Sequence, residues 1–231
     1  LAFEVPDLRS LLGRGGVSTI GGVVATNASG PRRVQVGACR DALLGVRFVD
    51  GRGEVIKNGG RVMKNVTGYD LVKLLAGSHG TLGVLTEVSF KVQAVPEVEA
   101  TLLCDLDVGS GLAALRTALG SPYDVTGAAY AEGRAMIRLE GLEGSVAYRR
   151  QALAGLLGGG WEVVEAEESA ALWRRLRDVT AFADHAGAVW KLSVKPSDAA
   201  GIVAGLAALE VQAIYDWGGG LIWRSEEHTS E

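Results

Sequence analysis

Between residues 45 and 92 the chain alternates apolar and polar positions in short runs punctuated by glycine. Gly45-Val46-Arg47-Phe48-Val49-Asp50 has the period-2 pattern of a half-buried strand. Asp50-Gly51-Arg52-Gly53 is a hairpin turn signal, and Glu54-Val55-Ile56-Lys57 returns as the partner strand. Residues 82–92 alternate again through Val84, Thr86, Val88 and Phe90. Between these strands, residues 69–76 predict a short helix with Leu71, Leu74 and Leu75 on one face and Gly77 just past its end. Upstream, residues 17–20 form a β-branched run that reads as strand, and Gly21-Gly22 turns it into Val23-Val24-Ala25. Residues 40–44 read either as one helical turn or as the lead-in to a strand.

Ala94-Val95-Pro96-Glu97 stops the alternation and predicts a domain boundary. Beyond it the periods switch regularly. A strand at 100–106 leads to a helix carrying Leu112, Leu115 and Leu119. Strands at 125–130 and 135–140 flank a turn at Glu132-Gly133. A helix from about Gly144 carries Val146, Leu153, Leu156 and Leu157, and a strand follows at 161–165. This β-α-β-β-α-β order is the ferredoxin-like pattern. It is extended by a helix with Leu172, Leu176 and Val179, a strand at 188–194, a helix over 197–209 capped by Ser197, and strands at 211–215 and 221–223. The expected fold class is α+β, with domains at 1–96 and 97–223.

The ends change how much of the chain enters the fold. It opens on Leu1 inside an apolar segment, so a fragment truncated at its N-terminus is expected. Residues 224–231, Arg-Ser-Glu-Glu-His-Thr-Ser-Glu, read as the translation of a sequencing adapter and are expected to stand outside the fold. Without their one arginine and three glutamates, the formal net charge of −4 becomes −2.

That near-neutral balance, with basic residues no more clustered than the pairs Arg32-Arg33, Arg149-Arg150 and Arg174-Arg175, excludes a nucleic-acid footprint. No apolar run reaches the roughly eighteen residues of a membrane span, so no transmembrane segment is expected. Cys39 and Cys104 are too few for an iron–sulfur cluster or zinc ribbon, and two reduced thiols in a cytoplasmic protein are expected. The 33 glycines exceed ordinary usage about twofold. They cluster in loops between strands, which points to ligand binding rather than disorder.

Three loops carry the chemistry: Gly21-Gly-Val-Val-Ala-Thr26-Asn27-Ala-Ser29-Gly30, residues 59–70 and Gly77-Ser-His-Gly80-Thr81-Leu82-Gly83. Small side chains let backbone approach a polyanion, and free N–H groups can donate to it. The dinucleotide fingerprint and the P-loop both fail on sequence and context. An elongated cofactor gripped by several loops remains. Lys64 reads either as a phosphate neutraliser or as solvated; Tyr69 and Asp70 either anchor the short helix or touch the ligand. His79 and His185 receive no catalytic role.

These residues resemble the second half of the FAD-binding domain in the vanillyl-alcohol-oxidase-like, PCMH-type flavoproteins. More narrowly, residues 21–33, Lys64-Asn-Val-Thr-Gly-Tyr-Asp70, 77–83, 189–196 and 216–223 are similar to the FAD-binding subunits of bacterial glycolate oxidase complexes. The resemblance implies the C-terminal part of a PCMH-type FAD-binding domain (1–96) followed by a ferredoxin-like, FAD-linked oxidase domain (97–223). It implies FAD held by Gly21, Gly22, Thr26, Asn27, Ser29, Gly30, Gly80, Thr81, Leu82, Gly83 and Val84. It implies a part in oxidising glycolate, a small 2-hydroxyacid, to glyoxylate. Expected partners are a catalytic flavoprotein subunit and an iron–sulfur subunit that takes the electrons, in the cytoplasm or at a membrane through the complex. No catalytic residue is assigned. The single histidine within 97–223 leaves no counterpart to the histidine-rich metal motif of related hydroxyacid oxidases, so no metal is expected. A non-catalytic assembly subunit and a self-sufficient oxidase of another alcohol or acid stand as alternatives.

Overall fold

The computed structural model describes residues 1–62, 68–185, 187–206 and 212–226. The chain divides into two compact units, one of residues 1–7 with 15–94 and one of residues 8–14 with 95–231.

The first unit is built on a three-stranded antiparallel sheet of order β2-β1-β3, with β1 at Leu43–Val49, β2 at Val55–Gly59 and β3 at Val84–Phe90. The predicted hairpin turn is in place. Asp50 Oδ1 accepts from the N–H groups of Arg52 (2.8 Å) and Glu54 (3.0 Å), and Gly53 N–H donates to the Asp50 carbonyl. Four short helices accompany the sheet: α1 at Ile20–Ala25, α2 at Arg33–Val36, α3 at Cys39–Ala42 and α4 at Leu71–Leu75. Their core joins Val24, Cys39, Leu43, Phe48 and Leu75, with Phe3 buried against Phe90 at 5.7 Å between ring centroids.

Three local expectations are corrected here. The run at 17–20 is not a strand. Thr19 caps α1 by accepting from Gly22 N–H at 3.1 Å, and burial of Val23 and Val24 outweighs the poor helix propensity of Ile-Gly-Gly-Val-Val-Ala. The inward face of α4 is Val72 and Leu75, while Leu74 points outward. In β3 the register slips opposite Arg47/Phe48, so Leu85 rather than Val84 joins Val88 and Phe90 on the core side.

The second unit opens with the ferredoxin-like order: β4 (Val98–Asp105), α5 (Val108–Leu119), β5 (Gly127–Ala131), β6 (Arg134–Gly141), α6 (Glu143–Leu157) and β7 (Glu162–Glu165). Its strands pair as β7-β4-β6-β5 and continue through β9 (Ala213–Asp216) and β10 (Leu221–Glu226) to β8 (Ala188–Ser193), every recorded pairing antiparallel. The apolar rows of α5 and α6 meet one cluster, of which Leu112, Leu115, Ile137 and Leu153 are part. Helix α7 (Ala166–Arg177) contributes Trp173 and Leu176 to a second cluster with Met136 and Ile214, against which Leu8 and Leu11 pack. The Trp173 indole donates to Thr101 Oγ1 (2.8 Å), Thr101 lies 2.6 Å from Ser169 Oγ, and Ser169 donates to Glu99 at 2.6 Å. That chain satisfies polar groups which would otherwise weigh against burying α7 here.

Helix α8 spans Ala199–Ala204, with Asp198 rather than Ser197 at its cap, and residues 207–211 of the expected helix and strand lie outside the described residues. Arg224, Ser225 and Glu226, expected outside the fold, continue β10 opposite Trp190, Val189 and Ala188. Arg224 and Ser225 are buried there. Among the described residues no helix is long and apolar enough to cross a membrane.

Cys39 is fully buried in the first core, and burial pushes its thiol up to about 11, only partly opposed by the Lys73 ammonium. At pH 8 it is therefore overwhelmingly a neutral, inert thiol. Titration of the native protein with a disulfide reagent at that pH should modify Cys104 and leave Cys39 unmodified until denaturant is added. Rapid modification of both thiols would refute this packing.

Candidate functional site

Helix α1 ends in a hydrogen-bonded reversal that the sequence dictates. Asn27 adopts left-handed backbone (φ 50°), its N–H donates to Val24 O at 3.0 Å, and Ala28 N–H donates to Val23 O at 3.1 Å. This is the Schellman pattern, with asparagine in the position that glycine usually takes. A second reversal follows α4. Thr81 N–H donates to Ser78 O at 3.0 Å, and the central residues His79 and Gly80 both have positive φ, 52° and 77°. That is the requirement of a type I′ turn, and it fixes glycine at position 80 by conformation alone.

The two reversals are bound together. Gly77 N–H donates to Val24 O at 3.0 Å, and His79 N–H donates to Ala25 O at 2.8 Å. Loops some fifty residues apart in sequence thus become one continuous surface. Neither 19–26 nor 77–84 contains a charged side chain. The charged residues bonded around these loops are of both signs: Arg33 reaches Ser29, Lys73 reaches the Arg40 and Leu43 carbonyls, and the Glu4 carboxylate accepts from Arg32 N–H.

The expected ligand residues separate into two groups on this surface. Gly22, Thr26, Gly80, Thr81 and Leu82 are exposed, Gly21 is half-buried, and Val84 is exposed at the start of β3. Ser29 and Gly30 lie beneath it. Ser29 Oγ accepts from an Arg33 guanidinium N–H at 3.1 Å, and Gly30 N–H donates to Phe3 O at 3.0 Å. The polar side chains are turned to internal work: Thr26 Oγ1 donates to Gly22 O (2.9 Å), Thr81 Oγ1 donates to Ser78 O (2.7 Å), and Asn27 Oδ1 accepts from Arg40 N–H (2.8 Å). Backbone, rather than hydroxyls, is what the surface offers a ligand.

The glycines differ in what holds them. A Cβ on Gly83 would lie 2.6 Å from Val49 O, so strand packing requires that glycine with or without a ligand. A Cβ on Gly21 would meet only Leu85 Cβ at 3.9 Å, an ordinary contact. Among the described residues no contact requires glycine at position 21, where alanine would favour the helix by up to about 0.5–1 kcal/mol. Open backbone without carboxylates at 19–26 and 77–84 is compatible with a dinucleotide pyrophosphate.

The third glycine loop is only partly visible. Lys64, Asn65 and Thr67 lie outside the described residues. Asp70 caps α4 by accepting from Lys73 N–H at 3.1 Å, and the Tyr69 ring is almost fully exposed while its carbonyl accepts from Asn58 Nδ2 at 3.2 Å. Two residues that sequence reasoning missed are Arg40 and Lys73, whose backbone and ammonium tie α3 and α4 together. Neither has a periodic or motif signal of its own. Among the described residues, no cluster of three His, Cys, Asp or Glu side chains is placed to hold a metal.

Residues 8–59 match a family model described as an FAD binding domain. The chain is 38% identical over 207 residues to the glycolate oxidase subunit GlcE of Escherichia coli K12, covering 89% of this chain and 55% of that protein. It is 44% identical over 101 residues to glycolate oxidase subunit GlcD of Bacillus subtilis 168, covering 44% of this chain and 21% of the other. It is 39% identical over 88 residues to the mitochondrial D-lactate dehydrogenase [cytochrome] of Arabidopsis thaliana, covering 38% and 16% respectively. Among solved structures, alkyldihydroxyacetonephosphate synthase superimposes with a TM-score of 0.68 at 19% identity, over 91% of this chain and 49% of that one. The chain thus spans about half the length of GlcE and of that synthase. By sequence the chain is similar to glycolate oxidase subunits and a D-lactate dehydrogenase over part of their length, with residues 8–59 matching an FAD binding domain, and its fold is similar to that of alkyldihydroxyacetonephosphate synthase.

Proposed function

We propose that the chain supplies one side of the FAD site in a glycolate-oxidase-type subunit, with residues 1–96 in the FAD-binding domain and 97–223 in the FAD-linked oxidase domain. The observation that carries this reading is the pair of glycine loops joined by the Gly77–Val24 and His79–Ala25 hydrogen bonds. The similarity to GlcE over most of the chain supports the substrate class. Gly21, Gly22, Thr26, Gly80, Thr81 and Leu82 form the contact surface. Asn27, Ser29, Gly30, Gly83 and Val84 form the frame that holds it.

FAD, when bound, supplies the two-electron acceptor for oxidation of glycolate to glyoxylate, and an iron–sulfur partner and a second flavoprotein subunit complete the path for the electrons. The chain's own residues bind and orient. N–H groups such as those of Gly21, Gly80 and Leu82 meet phosphate oxygens, while those of Gly77, His79 and Thr81 are committed within the chain, and the missing side chains at Gly21 and Gly80 allow close approach. The absence of carboxylates from both loops removes repulsion that would weaken a dianionic ligand.

In the full-length protein purified with its partners, flavin absorbance should be present and should bleach on anaerobic addition of glycolate. A preparation that takes up no FAD would contradict the reading, and bleaching without any partner would favour the self-sufficient oxidase. The variant Gly21→Ala separates ligand approach from folding. Its urea midpoint should rise, consistent with about 0.5–1 kcal/mol of added helix stability. Its FAD dissociation constant should rise about tenfold or more, a loss of ~1.4 kcal/mol. Unchanged affinity would remove Gly21 from the contact surface.

A further inference from the structure

We propose that Asn27 and Lys73 are positioning residues which close a ring of hydrogen bonds around the Arg40 backbone and so fix the two cofactor loops against each other. The ring can be traced bond by bond. Asn27, at the end of α1, accepts the Arg40 N–H on its Oδ1 at 2.8 Å. The Arg40 carbonyl accepts from the Lys73 ammonium of α4, which also donates to Leu43 O at 3.0 Å. Helix α4 leads to Gly77 and His79, whose N–H groups donate to Val24 and Ala25 and return the ring to α1. Four segments meet: the end of α1, the start of α3, α4 and the 77–81 turn.

The chemistry of the two side chains suits this role. Asn27 must combine left-handed backbone with a side-chain acceptor, which asparagine and aspartate do at low cost and most residues do not. Its Cβ also lies where the 77–81 loop passes, 3.4 Å from the place a Cβ on Gly77 would take. Lys73 holds two backbone carbonyls with one ammonium, and charge-assisted bonds of this kind are roughly twice as strong as neutral ones. The Lys73 ammonium also lies near enough to the buried Cys39 to oppose in part the upward shift of its thiol. Neither side chain needs to touch the cofactor. What each fixes is the spacing between loops whose backbone does.

This inference rests on the proposed FAD site for its purpose, but its test does not need FAD. Amide hydrogen exchange is measured residue by residue on the full chain and on Asn27→Gly, which keeps the left-handed backbone and loses the acceptor, and on Lys73→Met, which keeps the stem and loses the charge. Exchange at Gly77 and His79, to which neither side chain is bonded, should quicken about tenfold in both variants, equivalent to ~1.4 kcal/mol. Exchange at Val46 and Phe48 in β1 should stay unchanged. If only Arg40 quickens, Asn27 is a local cap and the ring is refuted. If β1 quickens too, the variants unfold, and Asn27→Asp and Lys73→Arg decide: native protection at Gly77 and His79 supports the ring, and loss there overturns it. FAD affinity of the full-length protein is then measured on the same variants. A confirmed ring with unchanged FAD affinity would leave the ring standing and remove the cofactor assignment instead.

Discussion

Two backbone hydrogen bonds, Gly77 to Val24 and His79 to Ala25, make a site out of segments that sequence separates by about fifty residues. Each bond uses a carbonyl from the last turn of α1, where carbonyls lack partners within the helix, and the Val24 carbonyl is shared with Asn27 N–H. The helix end is therefore satisfied by its own reversal and by the 77–81 loop together. The hairpin β1-β2 and strand β3 give α4 a floor, α4 sets the start of the 77–81 turn, and the Schellman reversal at Asn27 turns the chain away so that Ser29 and Gly30 can pass underneath.

Much of this was legible. Asp50-Gly51-Arg52-Gly53 announced the hairpin, and the period switches after Pro96 gave the ferredoxin-like order strand by strand. Two of the three glycine loops are joined by backbone hydrogen bonds, which their separation in sequence does not announce. The sequence was less informative about why each residue was there. Glycine at position 83 relieves contact with Val49 O, glycine at position 80 completes a turn, and no contact among the described residues requires glycine at position 21. In one dimension those three look alike. Thr26, Asn27, Ser29 and Thr81 looked like ligand donors because their side chains are polar, yet Thr26 and Thr81 bond nearby carbonyls, Asn27 accepts from Arg40 N–H and Ser29 from the Arg33 guanidinium.

The misreadings share a physical cause. Residues 17–20 favour strand by β-branching, but a threonine cap and two buried valines create a helix. The face of α4 was read from three leucines, while Val72 took the inward position that Leu74 was expected to fill. In β3 a register slip moved Leu85 to the core side. Each is a tertiary contact overriding a local preference of about 1 kcal/mol or less per residue. Lys73 and Arg40 were invisible for a related reason, since their role depends on which carbonyl lies within reach after folding.

The account stands or falls on whether the joined loops receive the cofactor as one surface. Hydrogen exchange of the full-length protein, with and without FAD, tests that directly. The account predicts that the amides of Gly21, Gly22, Gly80 and Leu82 slow together on binding, while those of β5 and β6 do not change. Slowing confined to one loop, or FAD binding that leaves all four amides untouched, would contradict it.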